Sequence, residues 1–167
     1  MEDDGQATTP SSAIVVSEPA LPSSATWSQT WRHVGVPVLF GLVVGIVWQE
    51  AVMPQLPYNI PNPVHGALLC YLLLAPLMHR WLAESTPERW KEYAMGGCAL
   101  GLPLMLVWTM GYGGLVCGGY LASVVWIWFS TSWWRFQIPP FRFALWHTLG
   151  VNVGALGGSI MTYNLLA

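Results

Sequence analysis

The chain has 167 residues, of which 54% are hydrophobic and only 8% carry a charge, and its mean hydropathy is +0.47. A soluble domain of this length needs roughly 25% charged residues to stay solvated, so the composition excludes the ordinary soluble class and points to an integral membrane protein. The formal net charge of -2 comes with no basic cluster, which excludes nucleic acid as a partner.

In chain order, residues 1–26 are rich in Ser, Thr, Pro and Ala and hold the acids Glu2, Asp3, Asp4 and Glu18. This is neither a secretory signal nor an Arg-rich transit peptide, and it predicts a disordered tail able to dock on a partner. Trp27 and Trp31, one turn apart and followed by Arg32 and His33, predict a short interfacial helix leading into the membrane. The first span is expected over 34–53, with Pro37, the small pair Gly41 and Gly45, and Glu50 near its far end. A proline-rich loop leads to a second span over 64–82, with His65 near its start, His79 near its close and a kink at Pro76.

Thr86, Pro87 and Glu88 have the pattern of a helix start, opening a third span over 93–110 that contains Pro103. Gly111 to Gly114 predicts a tight turn, and a fourth span follows over 115–134 with an aromatic end. The fifth span, 143–163, carries no formal charge over about the 20 residues needed to cross a bilayer. Within it Gly150, Gly154 and Gly158 recur every fourth residue and form one bare ridge, of the kind that lets a second helix backbone approach closely in lipid.

The expected fold is therefore all-α, a bundle of five transmembrane helices. Five crossings put all the basic residues (Arg32, Arg80, Arg89, Lys91, Arg135 and Arg142) on the side of the N-terminus, whereas four or six crossings divide them. The positive-inside rule then predicts the N-terminus inside and the C-terminus outside. Parallel first and fifth helices are expected to meet through Gly41, Gly45, Gly150 and Gly154.

Asn152 is the one strongly polar side chain expected near the midplane. It is expected to bond Ser123, Tyr71 or the Ala99 carbonyl left free by Pro103, or else to contact a ligand in a cavity with Tyr71 and Trp126. Glu50 and His65, at the outer ends of consecutive spans, form a candidate proton-handling pair. His79 and His147 on different helices are candidate axial haem ligands, with His33 equally well placed. Trp133 and Trp134 fit an interface belt, and the deeper Trp126 and Trp128 fit helix packing, a partner subunit or a flat ligand such as a pigment, quinone or sterol. Cys70, Cys98 and Cys117 read as small buried apolar residues rather than as a disulfide or metal set.

Asp occurs only in the tail, and no GxSxG, Walker, HExxH or CxxC pattern is present, so neither a catalytic residue nor a metal site is expected. Gly157, Gly158 and Ser159 read as a packing site. In size, helix number and tryptophan content the chain resembles the tryptophan-rich sensory and translocator proteins, which bind tetrapyrroles and sterols. No ordered motif of that family lies on these residues, so the resemblance only supplies ligand classes for an alternative. The expected function is a non-enzymatic subunit or assembly partner of a larger complex, in a bacterial inner membrane or an organelle membrane. Its partners would be other membrane subunits and the bilayer. The alternatives are a protein that binds or transports a small hydrophobic ligand (lipid, pigment, quinone or tetrapyrrole) and a haem-binding electron-transfer subunit. No cofactor is specified.

Overall fold

A computed structural model describes residues 25–57, 61–82, 85–135 and 138–165. Residues 1–24, and with them nearly all of the predicted tail, lie outside the described residues. Among the described residues the chain is all-α, with no strand.

Helix α1, Trp27–Gln55, is continuous from the predicted interfacial segment through the first span. Its start is fixed by a capping box in which the Thr26 side chain accepts from the Gln29 N–H and the Gln29 side chain accepts from the Thr26 N–H. A π-helical turn, Trp31–Gly35, precedes Pro37. The proline ring would press on the His33 carbonyl in a regular helix, and the wider turn relieves that.

Helix α2, Pro63–Leu73, begins where the Asn62 side chain accepts from the N–H groups of Val64 and His65. It breaks at Leu74, and α3, Ala75–Leu82, continues beyond. Pro76 lacks the N–H that would bond Leu72, so the predicted kink is realised as a one-residue break.

Helix α4, Trp90–Trp108, follows a single 3-10 turn over Pro87–Arg89. Thr86 makes no side-chain cap there, and the first turn is held by an Arg89–Glu92 ion pair at 2.7 Å. Gly111, at φ +59, turns the chain in a conformation that side-chain-bearing residues rarely adopt. Helix α5, Tyr112–Ser130, contains a π-helical stretch over Leu115–Leu121. Helix α6, Pro140–Leu165, closes the described chain.

Two of these helices, α1 and α5, are long and apolar enough to cross a membrane. Helix α6 is long but carries Asn152, His147, Thr148 and its glycines, and the second rod is divided at Leu74. The most buried helix is therefore not the most apolar one.

Helix α6 is the axis of the bundle. On one side Gly41 packs on the Val151 backbone, and Gly154 and Gly158 pack on the backbone of Val38 and Leu42. A Cβ at Gly45 would lie 2.7 Å from the Ala155 carbonyl oxygen. The numbers rise together along both helices, so α1 and α6 run parallel with their backbones in contact. On another side Gly96 of α4 meets the Phe141 backbone and the Ala144 side chain, again in parallel. Helix α5 runs antiparallel to α6, since Asn152 reaches Gly118 while Trp146 reaches Ser130.

One end of the bundle gathers the start of α1, the end of α3, the start of α4, the turn after α5 and the start of α6. Arg32 Nε donates to the Trp81 carbonyl at 2.9 Å. The His33 ring meets Trp133 and Phe143, and His79 meets Tyr93. All of the chain's Lys and Arg residues lie in or beside these segments.

Candidate functional site

The bundle has two features with chemical character, a buried array of rings at its cation-bearing end and an apolar groove on its side.

The array joins four elements. Tyr71 of α2 donates to the Tyr93 hydroxyl of α4 at 2.9 Å, and Tyr93 in turn meets Nδ1 of His147 on α6 at 2.8 Å. With Tyr71 donating to Tyr93, the Tyr93 proton is directed at Nδ1 and the His147 proton falls on Nε2; with Tyr71 donating to the Ala144 carbonyl at 3.4 Å instead, Nδ1 can carry the proton. Nε2 of His147 is buried without a partner, as is Nδ1 of His33. The two imidazoles lie nearly parallel, 9° apart with centroids at 5.6 Å. Phe143 stacks on His33 at 4.9 Å, and Trp133 and Trp146 complete an aromatic surround. The array is buried, and Tyr71, Tyr93 and His147 have no exposed surface.

A haem held by His79 and His147 needs a clear slot between the two rings for the flat macrocycle. The Tyr93 ring stands there instead, 5.5 Å from His79 and 5.9 Å from His147. Nε2 of His79 is also engaged by the Ser85 hydroxyl at 2.6 Å. These residues do not fit the group.

Asn152 is buried, but its partners are none of those expected. Its Oδ1 accepts from Trp108 Nε1 at 2.8 Å and its Nδ2 donates to the Gly118 carbonyl at 2.7 Å. It thus pins α4 and α5 to α6. The Gly118 carbonyl lies in the π-helical stretch of α5, where the wider turn leaves room for a side-chain donor. Ser123 bonds back to the Gly119 carbonyl of its own helix. Trp126 packs beside Gly150, and its indole N–H is buried without a partner. The proposed Asn152, Tyr71 and Trp126 cavity is thus divided among three separate contacts.

Glu50 and His65 are not joined. Glu50 is exposed, while His65 is buried with Nδ1 2.7 Å from the Asn62 side-chain oxygen. Trp133 is buried against His33 rather than standing outward in a belt, and Trp128 faces out. The cysteines also depart from expectation. Cys98 and Cys117 are exposed and Cys70 is half-buried. Ser159 donates weakly to Gln49 at 3.4 Å beside the close contact of Gly158, while Gly157 faces open space.

The groove runs between α4, α5 and α6, with a volume of about 500 Å³. Leu100 and Leu104 form one wall, Cys117 to Phe129 of α5 the other, and Leu145, Trp146 and Leu149 the floor, with Arg142 at one end. Apart from Arg142 its lining is apolar.

No protein-family model, no curated protein and no solved structure matches this chain.

Proposed function

We propose that this chain is a multi-pass membrane protein of five crossings, with its N-terminus inside and its C-terminus outside. In this reading it works without catalysis, as a subunit or assembly partner of a larger membrane complex. Membrane residence is supported by the exposure of its two most apolar helices, whose apolar windows are only 17% and 22% buried. A core helix of a soluble protein would be covered, and water would not tolerate such surfaces. Gathering the cations at one end fits the positive-inside rule, which acts alike in bacterial inner membranes and in several organelles.

The observation that carries the partner role is Tyr120. Tyr112, Val116, Tyr120, Val124 and Trp128 form an outward stripe at every fourth position of α5, each at least 41% exposed. Tyr120 is at the middle of that helix, 70% exposed, and its hydroxyl has no partner among the described residues. If α5 crosses the bilayer, that hydroxyl sits about 15 Å from either surface, beyond the reach of snorkelling. Leaving it bare in hydrocarbon costs about 1–3 kcal/mol or more. A partner helix offering a carbonyl or hydroxyl removes that cost.

The test replaces Tyr120 with a photo-crosslinking residue in the full chain and, as a control, does the same at Leu102, which is exposed on α4. After gentle solubilisation, position 120 should capture another polypeptide and position 102 should not. A chain that runs alone on sizing and captures only lipid at position 120 would overturn the partner role.

A further inference from the structure

We infer that the groove between α4, α5 and α6 is a binding site for an anionic phospholipid from the leaflet on the cation-bearing side. One acyl chain would lie in the groove and the headgroup would rest on Arg142. The inference rests on the membrane placement proposed above but is independent of the partner at α5, since the groove uses a different face of that helix.

Shape and charge point to the same occupant. Along α5 the groove runs from Phe129 to Cys117, about 18 Å at 1.5 Å per residue. One leaflet of hydrocarbon is about 15 Å deep, half of a ~30 Å core. The groove therefore starts at the cation-bearing end and finishes close to the midplane, as a chain anchored in that leaflet would. Leu104, Leu121, Val125 and Leu149 line the way and present no hydrogen-bonding side chain.

Arg142 is the one charged residue of the lining; it is exposed, and its guanidinium makes no hydrogen bond or ion pair among the described residues. Its guanidinium is free to take a phosphate with two parallel N–H donors. A zwitterionic headgroup brings a cation beside that phosphate, so a net anionic head suits the site better.

The experiment uses the full chain in mild detergent, exchanged into vesicles of phosphatidylcholine alone or mixed with phosphatidylglycerol, followed by native mass spectrometry. Phosphatidylglycerol should be retained over phosphatidylcholine by about tenfold, the scale of one charge-assisted contact. Arg142→Gln should lower that preference to threefold or less, and Arg142→Lys should keep most of it. Leu121→Trp, which fills an exposed groove position, should remove the retained lipid while thermal unfolding stays unchanged.

Equal retention of both lipids, or an unchanged preference in Arg142→Gln, overturns the site and leaves the membrane placement standing. Capture of a polypeptide in the groove instead of lipid overturns it too. A chain that stays in solution without detergent overturns both readings.

Discussion

Helices α6 and α5 are neighbours of similar environment in sequence terms, yet they solve opposite problems. Helix α6 is covered by α1, α4 and α5, and it carries glycines, imidazole, hydroxyls and an amide on its buried faces. Helix α5 is covered along a narrow strip, and its outward faces carry Val, Leu, Ile, Tyr and Trp. In lipid the hydrophobic effect does not pull helices together, so cohesion comes from backbone approach and interhelical hydrogen bonds. The polar residues and glycines then belong inside and the greasy ones outside. Hydropathy accordingly selects the periphery of this bundle, α1 and α5, and passes over its axis.

The sharpest way to break this contrast is within α6 itself. Gly154→Val would drive a side chain into the Val38 carbonyl, whereas Gly157→Val would meet open space. The first should destabilise the bundle by about 3 kcal/mol, and the second should stay within about 0.5 kcal/mol of the parent. Detergent unfolding curves separate the two, and equal effects would refute the backbone contact with α1.

Asn152→Leu comes next. It leaves the Trp108 N–H and the Gly118 carbonyl without that partner, for about 2–6 kcal/mol at roughly 1–3 per group. A cycle with Trp108→Phe should show the two changes sharing about 1 kcal/mol of their effect. Strict additivity would mean that the amide is not bonded to that indole. Tyr93→Phe should cost about 1–2 kcal/mol by removing the hydroxyl between Tyr71 and His147. A neutral result there would mean that the ring array is held by packing alone.

The smallest effect on folding belongs to α5. Tyr120→Phe should move stability by less than about 0.5 kcal/mol while weakening the complex about tenfold. A loss of stability in the isolated chain would show that the hydroxyl serves the fold rather than a partner.

These contrasts also show what the sequence could carry. A glycine ridge is a property of one helix, so Gly150, Gly154 and Gly158 could be read as a close-packing face without knowing the neighbour. That Asn152 needed partners was equally plain, because a lone amide in an apolar run stands out. Which partners it took was not, since that depends on how far each helix is rotated about its own axis. Trp108 gives no sign of this role, because a tryptophan in an apolar run reads as bulk rather than as an N–H donor.

The Tyr71, Tyr93, His147 and His33 array was hidden for the same reason. Its members come from four helices and share no spacing. Glu50 and His65 failed the other way, as two residues placed at one level by counting but turned to different neighbours by helix rotation. The break at Leu74 follows from Pro76, while the π-helical stretch of α5 has no marker that residue type alone supplies.

The pairing of α1 with α6 has a consequence for how such a chain is made. Gly41 and Gly45 emerge from a ribosome long before Val151 and Ala155, so the notch in the first helix stays vacant through most of translation. Until the last helix is made, no backbone of its own chain can fill that notch, so the closest helix contact of the bundle is among the last to form.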